Sequence, residues 1–193
     1  KGKHAGTFGE LGILSFNGNK TVTTGGGGMI VTNNESLAAK ATHLTTTAKK
    51  PHRWAYEHDD IGYNYRMPNL NAAVGCAQME RLPSFLASKR NLAETYRQAF
   101  QGIDGVAFFT EPIFARSNYW LNILLLDEAC ADQRDELLEK TNEVGIMTRP
   151  AWTLMHRLPM YRGCPAMELS VAERLSKRLI NIPSSAFLGG ENA

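Results

Sequence analysis

The sequence predicts an α/β fold, and three observations predict it. Short β-like runs separated by turn residues open the chain, strand-like and helical patterns then alternate, and the composition is that of an ordinary globular protein. The chain has 193 residues, 43% hydrophobic and 21% charged, which can bury a sizeable core as one large or two small domains. A formal charge of +2 gives no case for a nucleic-acid or anionic-membrane surface. Cys76, Cys130 and Cys164 are few, odd in number and widely spaced. They form neither a disulfide framework nor the paired spacing of a zinc site, so a reducing cytoplasm is expected. No apolar run approaches a membrane span, and nothing resembles a signal peptide.

Residues 11 to 32 read as short strands joined by turns: Gly12-Ile13-Leu14-Ser15-Phe16, Thr21-Val22-Thr23-Thr24 and Met29-Ile30-Val31-Thr32. Leu37 to Leu44 has helical spacing behind Asn34, a cap candidate, with Leu37, Ala38, Ala41 and Leu44 on one face. His52 to Tyr65 is polar, aromatic and irregular, hence a loop. A helical pattern begins at Pro68 or Asn69 with Leu70, Ala73, Val74, Ala77 and Leu82 on one face. Pro83 predicts a kink or a restart, and Leu86, Ala93, Tyr96 and Phe100 continue to Gly102. Strand patterns follow at Val106-Ala107-Phe108-Phe109 and from Tyr119 to Leu126. A helix is expected over about 132 to 143, with Leu137 and Leu138 inward and Gly145 closing it. Gly145 to Arg149 reads as a short strand. Leu169 to Leu179 reads as a last helix, with Ser170 and Glu173 spaced as a capping box, and Leu179-Ile180-Asn181-Ile182-Pro183 is strand-like. Alternation of this kind argues a compact α/β layer.

Lys20 is the most informative residue. A lysine on a loop between strands has its backbone fixed while its long stem can still reach a cavity. Ser15, five residues earlier, is a short hydroxyl of the kind that holds a phosphate oxygen. A lysine that reaches a buried carbonyl can form a Schiff base, although residue type alone favours a solvated loop lysine. Gly25 to Gly28 lacks the Lys-Ser/Thr of a nucleoside-triphosphate loop and leads into a strand, so a tight connection at positive φ is expected there.

Asn64 and Arg66 precede a helix N-terminus, where an anion can be held; a loop hydrogen-bonded to itself is the alternative. His156, with Trp152 and Tyr161 close by, could line a pocket for a nucleotide base, or be a histidine with a structural partner. His52-Arg53-Trp54 offers a cation and a ring for a nucleotide diphosphate, or a solvated loop. His4, His43 and His58 show no ligand spacing, and no metal is expected.

Gly6-Thr7-Phe8-Gly9-Glu10-Leu11-Gly12, Ser15-Phe16 through Lys20, and Thr23-Thr24-Gly25-Gly26-Gly27-Gly28-Met29-Ile30-Val31-Thr32 together resemble the lysine segment of DegT/StrS-type nucleotide-sugar aminotransferases, which depend on pyridoxal phosphate. Gly62-Tyr63-Asn64-Tyr65-Arg66-Met67-Pro68-Asn69-Leu70-Asn71-Ala72-Ala73 is a second match, in the family's order. The stretches His43 to Lys49 and Trp152 to Tyr161 resemble the branch that makes 4-amino-4,6-dideoxy sugars of the bacillosamine and legionaminic acid pathways.

The resemblance implies a fold-type I transferase. Residues 1–75 would be the C-terminal part of the large cofactor-binding domain, and 76–193 a small α/β domain incomplete at its end. It implies that a large N-terminal part is absent, so that these residues are the C-terminal half of a larger enzyme and are inactive alone. Lys20 would hold the cofactor and shuttle a proton, Ser15 would contact its phosphate, and Asn64 with Arg66 would reach the phosphate in the partner of a homodimer. Trp152, His156, Tyr161 and Arg53 would bind substrate. The implied reaction moves an amino group from glutamate to a UDP- or GDP-linked 4-keto-6-deoxy sugar. Two rivals are a same-fold sugar dehydratase, which carries histidine in place of this lysine, and a non-catalytic dimerisation or binding module.

Overall fold

The computed structural model describes residues 1–190; the chain end at 191–193, with the expected incompleteness of the small domain there, lies outside the described residues. The chain divides into two compact units, Lys1–Pro83 and Ser84–Ala193.

The first unit is built on an antiparallel hairpin, β1 (Gly12–Ser15) with β2 (Gly28–Val31), in which Ser15 pairs with Gly28. The expected strand at Thr21 to Thr24 does not form. Its backbone is drawn into the hairpin loop instead: Thr24 N donates to the Phe16 carbonyl at 3.0 Å, and Phe16 N to the Gly27 carbonyl at 2.9 Å. Gly25 and Gly27 have φ of 78° and 134°, the left-handed conformations that a side chain would oppose.

Helix α1 (Glu35–Thr45) starts where expected, because the Asn34 side chain accepts from Ser36 N and Leu37 N and so satisfies two amides left over at the helix start. Helix α2 (Asn69–Glu80) follows Pro68 and ends at Arg81, and α3 (Leu82–Ala99) restarts at once. Pro83 falls in the first turn of α3, where a missing N–H costs nothing. The apolar positions of α2 do share a face, and that face is exposed: Leu70 is 83% exposed and Val74 is exposed too. Asn71, Ala72, Gly75 and Gln78 are the half-buried positions.

The second unit carries a four-stranded, wholly antiparallel sheet of order β3 (Val106–Phe108), β4 (Asn122–Leu126), β6 (Leu179–Ile182), β5 (Arg149–Pro150). Leu124 and Leu126 of β4 pack with Ile180 and Ile182 of β6, and Tyr96, Phe100, Val106, Phe108, Cys130 and Leu138 close around them. A 3-10 segment, Glu128–Gln133, leads into α4 (Arg134–Glu143). Gly145, at φ 83°, ends α4 as expected, with Ile146 N donating to the Thr141 carbonyl at 2.8 Å.

Two expectations shift here. The strand over Gly145 to Arg149 reduces to β5, because Asn142 and Thr141 take up Thr148 before the sheet begins. Helix α5 (Ser170–Ser176) lacks the capping box: Glu168 accepts from Ser170 N at 2.6 Å, and Glu173 is engaged elsewhere.

Candidate functional site

Lys20 closes a hydrogen-bonded turn, its amide donating to the Asn17 carbonyl at 3.0 Å, and is half-buried between β1 and β2. The loop after it is pinned to α2. Asn71 Nδ2 donates to the Thr24 carbonyl at 2.6 Å, and Thr23 N donates to Gln78 Oε1 at 3.4 Å. The polar face of α2 therefore fixes the backbone that carries Lys20. Sequence reasoning missed Asn71 and Gln78, since the apolar spacing of α2 pointed to the opposite face.

Ser15 is exposed at the end of β1. Thr21, directly after Lys20, keeps a buried hydroxyl with no hydrogen-bond partner. A buried polar atom without a partner usually marks a missing water, ion or ligand. Lys20 and the unpaired Thr21 hydroxyl lie on the hairpin loop that follows Ser15, and by type these donors suit a group carrying a carbonyl and an anion.

Asn64 and Arg66 are both exposed on the segment leading into α2. Asn64 forms a β-bridge with Thr46 at the end of α1, and the rings of its two sequence neighbours, Tyr63 and Tyr65, stack on each other at 5.1 Å. Tyr63 N donates to the Leu44 carbonyl at 2.7 Å and Tyr65 N to the Thr45 carbonyl at 3.1 Å. The backbone around Asn64 is thus tied down while its side chain faces outward. Arg53 is exposed beside His52, whose Nδ1 accepts from Ala55 N at 2.9 Å.

In the second unit, Trp152 is 67% exposed and stacks on Trp120 at 6.2 Å with 20° between planes. Tyr161 is exposed on the 3-10 turn Pro159–Tyr161. His156 Nε2 meets Glu173 Oε1 at 2.5 Å, and Arg157 grips both oxygens of the same carboxylate. Arg157 first, then His156, holds the Glu173 carboxyl below the ordinary glutamate range. The histidine therefore has a structural partner in Glu173.

Among the described residues, no group of three or more His, Cys, Asp and Glu side chains could hold a metal ion, and no helix is long and apolar enough to cross a membrane. Cys76, Cys130 and Cys164 are thiols.

Fold and site together define an α/β chain that presents one lysine on a tight, helix-pinned turn. The chain matches the DegT/DnrJ/EryC1/StrS aminotransferase family over residues 1–193, and it belongs to that family. EpsN of Bacillus subtilis (strain 168) is 40% identical over 192 residues, covering 96% of this chain and 48% of that protein. The GDP-perosamine synthase of Escherichia coli O157:H7 is 39% identical over 191 residues, covering 99% and 51%. PseC of Helicobacter pylori, an aminotransferase involved in the biosynthesis of pseudoaminic acid, superposes with a TM-score of 0.91 over 100% of this chain and 52% of that one; at 23% identity it shows the fold alone.

The chain spans about half the length of the curated relatives it matches. The expected fold class, a fold-type I transferase, is borne out. Aminotransferases of this family use pyridoxal phosphate.

Proposed function

We propose that this chain is the lysine-bearing C-terminal half of an enzyme that transfers an amino group from glutamate to the 4-keto carbon of a nucleotide-linked 6-deoxy sugar. The observation that carries this reading is Lys20 on its pinned turn, beside the unpaired Thr21 hydroxyl, in a chain of this family. Pyridoxal phosphate, when bound, supplies the electron sink that lets an amino group move between carbons.

The protein's part is to bind, orient and move protons. The Asn17–Lys20 turn and the α2 contacts to Thr23 and Thr24 hold the Lys20 backbone still, so the amine can return to one position after release. Lys20 Nζ first holds the cofactor, then carries a proton to and from the reacting substrate carbon. Ser15 contacts the cofactor phosphate from the same loop. Asn64, assisted by Arg66, reaches the phosphate bound in the second subunit of a homodimer; its outward position supports this role.

Trp152, with Tyr161 and His156, receives the nucleotide base and sugar, and Arg53 faces the diphosphate. The stacked Trp120 supports Trp152 as a platform for a base. The substrate in this reading is a UDP- or GDP-linked sugar of the 4-keto-6-deoxy-GlcNAc type, the product a precursor of bacillosamine- or legionaminic-type glycans. The match to a GDP-perosamine synthase supports a GDP-linked sugar as the substrate. In this reading residues 1–75 belong to the large domain and 76–193 to the small one; a division into two units supports two domains, although the units meet at Pro83 and Ser84. The reaction is placed in the cytoplasm, in keeping with three cysteines that remain thiols.

Variants of the full-length protein test the reading. Lys20→Ala abolishes glutamate-dependent amination of the keto sugar, whereas Asn64→Ala weakens cofactor binding and keeps turnover at saturating cofactor. A Lys20→Ala enzyme with full turnover would sink the mechanism.

A further inference from the structure

The segment that carries Asn64 is folded around a strained turn. Thr47 and Ala48 are consecutive non-glycine residues at φ of 67° and 50°, a conformation that L residues, and β-branched threonine above all, rarely adopt. Ala48 is 0% exposed. Strain of this kind persists only where the surroundings over-determine it. Here the surroundings are explicit. Ala48 N donates to the His43 carbonyl at 2.8 Å, Asp59 N to the Ala48 carbonyl at 3.2 Å, and Thr47 N to the Tyr63 carbonyl at 3.1 Å. Gly62 passes so close that a Cβ there would run into the Thr47 carbonyl carbon and the Ala48 nitrogen.

His58 completes this arrangement. Its Nδ1 lies 2.7 Å from the Thr47 carbonyl oxygen; the oxygen can only accept, so the ring nitrogen donates. Lys49 bridges to His58 on the next residue pair, as Thr46 bridges to Asn64. His43 and Asp59 join the same two segments a second time, Nε2 to Oδ1 at 2.6 Å. His58 is exposed. The bond from its Nδ1 fixes the left-handed Thr47, whose own amide and neighbouring Thr46 set the position of Tyr63 and Asn64.

We infer that His58 is a positioning residue for the cofactor phosphate, acting through Asn64 by locking the Thr47 carbonyl. The inference rests on the reading above in which Asn64 holds that phosphate. Losing one such bond corresponds to an affinity change of about fivefold.

The test uses the full-length protein freed of cofactor and titrated separately with pyridoxal phosphate and with pyridoxal, followed by absorbance. His58→Ala weakens pyridoxal phosphate about fivefold and leaves pyridoxal unchanged, because only the phosphate is misplaced. His58→Asn, whose Nδ2 can stand where Nδ1 stood, restores affinity to within about twofold. In an Asn64→Ala background His58→Ala adds nothing further. Equal weakening of both ligands, no weakening of either, or full additivity with Asn64→Ala overturns the inference while leaving the role of Asn64 intact. If Asn64→Ala alone leaves the preference for the phosphate ester unchanged, the reading of Asn64 fails and this inference falls with it.

Discussion

Glu173 shows how a single residue can be identified by spacing and then used for something else. Its position three residues after Ser170 matches a capping box, yet its carboxylate bonds Arg157 and His156. Both partners favour the ionised form, so its folded pKa lies below the ordinary glutamate value of 4.5. A depressed carboxyl contributes stability that is present above the unfolded pKa and lost as pH falls through the folded one. The difference in urea midpoint between wild type and Glu173→Gln is therefore largest at neutral pH and closes as pH falls below about 4.5. A difference that stayed constant down to acid pH would show that the ion pairs do not govern this segment. What the sequence concealed at this scale was partner choice. Arg157 and His156 stand sixteen and seventeen residues from Glu173, a separation that no local pattern reports. Thr47 and Ala48 were hidden for a related reason: nothing in Thr45-Thr46-Thr47-Ala48 signals positive φ, and the strain exists only because Gly62 and His58 close over it.

Elements were legible where local chemistry decides them. Asn34 was read as a cap because its side chain can bond amides two and three residues on, and it does so at 3.0 and 3.2 Å. Asn34→Ala is expected to lower stability by about 1 kcal/mol, read as a shift of the thermal midpoint, whereas Asn34→Ser changes it little. No change in Asn34→Ala would mean that packing alone holds the helix start. Gly145 and Pro83 were legible on the same ground, each forced by backbone geometry. Helix α2 was legible in extent and in its shared apolar face, but not in which face the first unit buries. Its apolar residues Leu70 and Val74 face outward, and Asn71 and Gln78 turn inward to hold the lysine loop. Hydrophobic spacing locates the face of a helix that avoids water in the assembled protein; it does not say which unit or chain does the covering. The polar contacts on the other face are a functional signal, and periodicity cannot distinguish them from a solvated face.

For the molecule as a whole, the sequence resemblance reached further than the composition. Composition and alternation bounded the chain to α/β, while the two long motifs around Lys20 and Asn64 singled out the family that the match over residues 1–193 confirms. The second unit owes its stability to a conventional core between an antiparallel sheet and its helices. The first unit buries little beyond Val22, Thr24 and Ala48 and leaves Ile13, Met29, Ile30 and Leu70 exposed. That contrast accords with a chain spanning half the length of its relatives, and with the proposal that a further large-domain segment and a second subunit complete the first unit. On this account the substrate lies in the assembled protein, and Lys20 is the one residue whose covalent chemistry can be read directly. The most direct measurement is the intact mass of the full-length protein after incubation with pyridoxal phosphate and reduction with borohydride, followed by peptide mapping. The account predicts one reduced phosphopyridoxyl group per chain, on the peptide containing Lys20 and absent from Lys20→Ala. An adduct mapped to another lysine, or none at all, would contradict it.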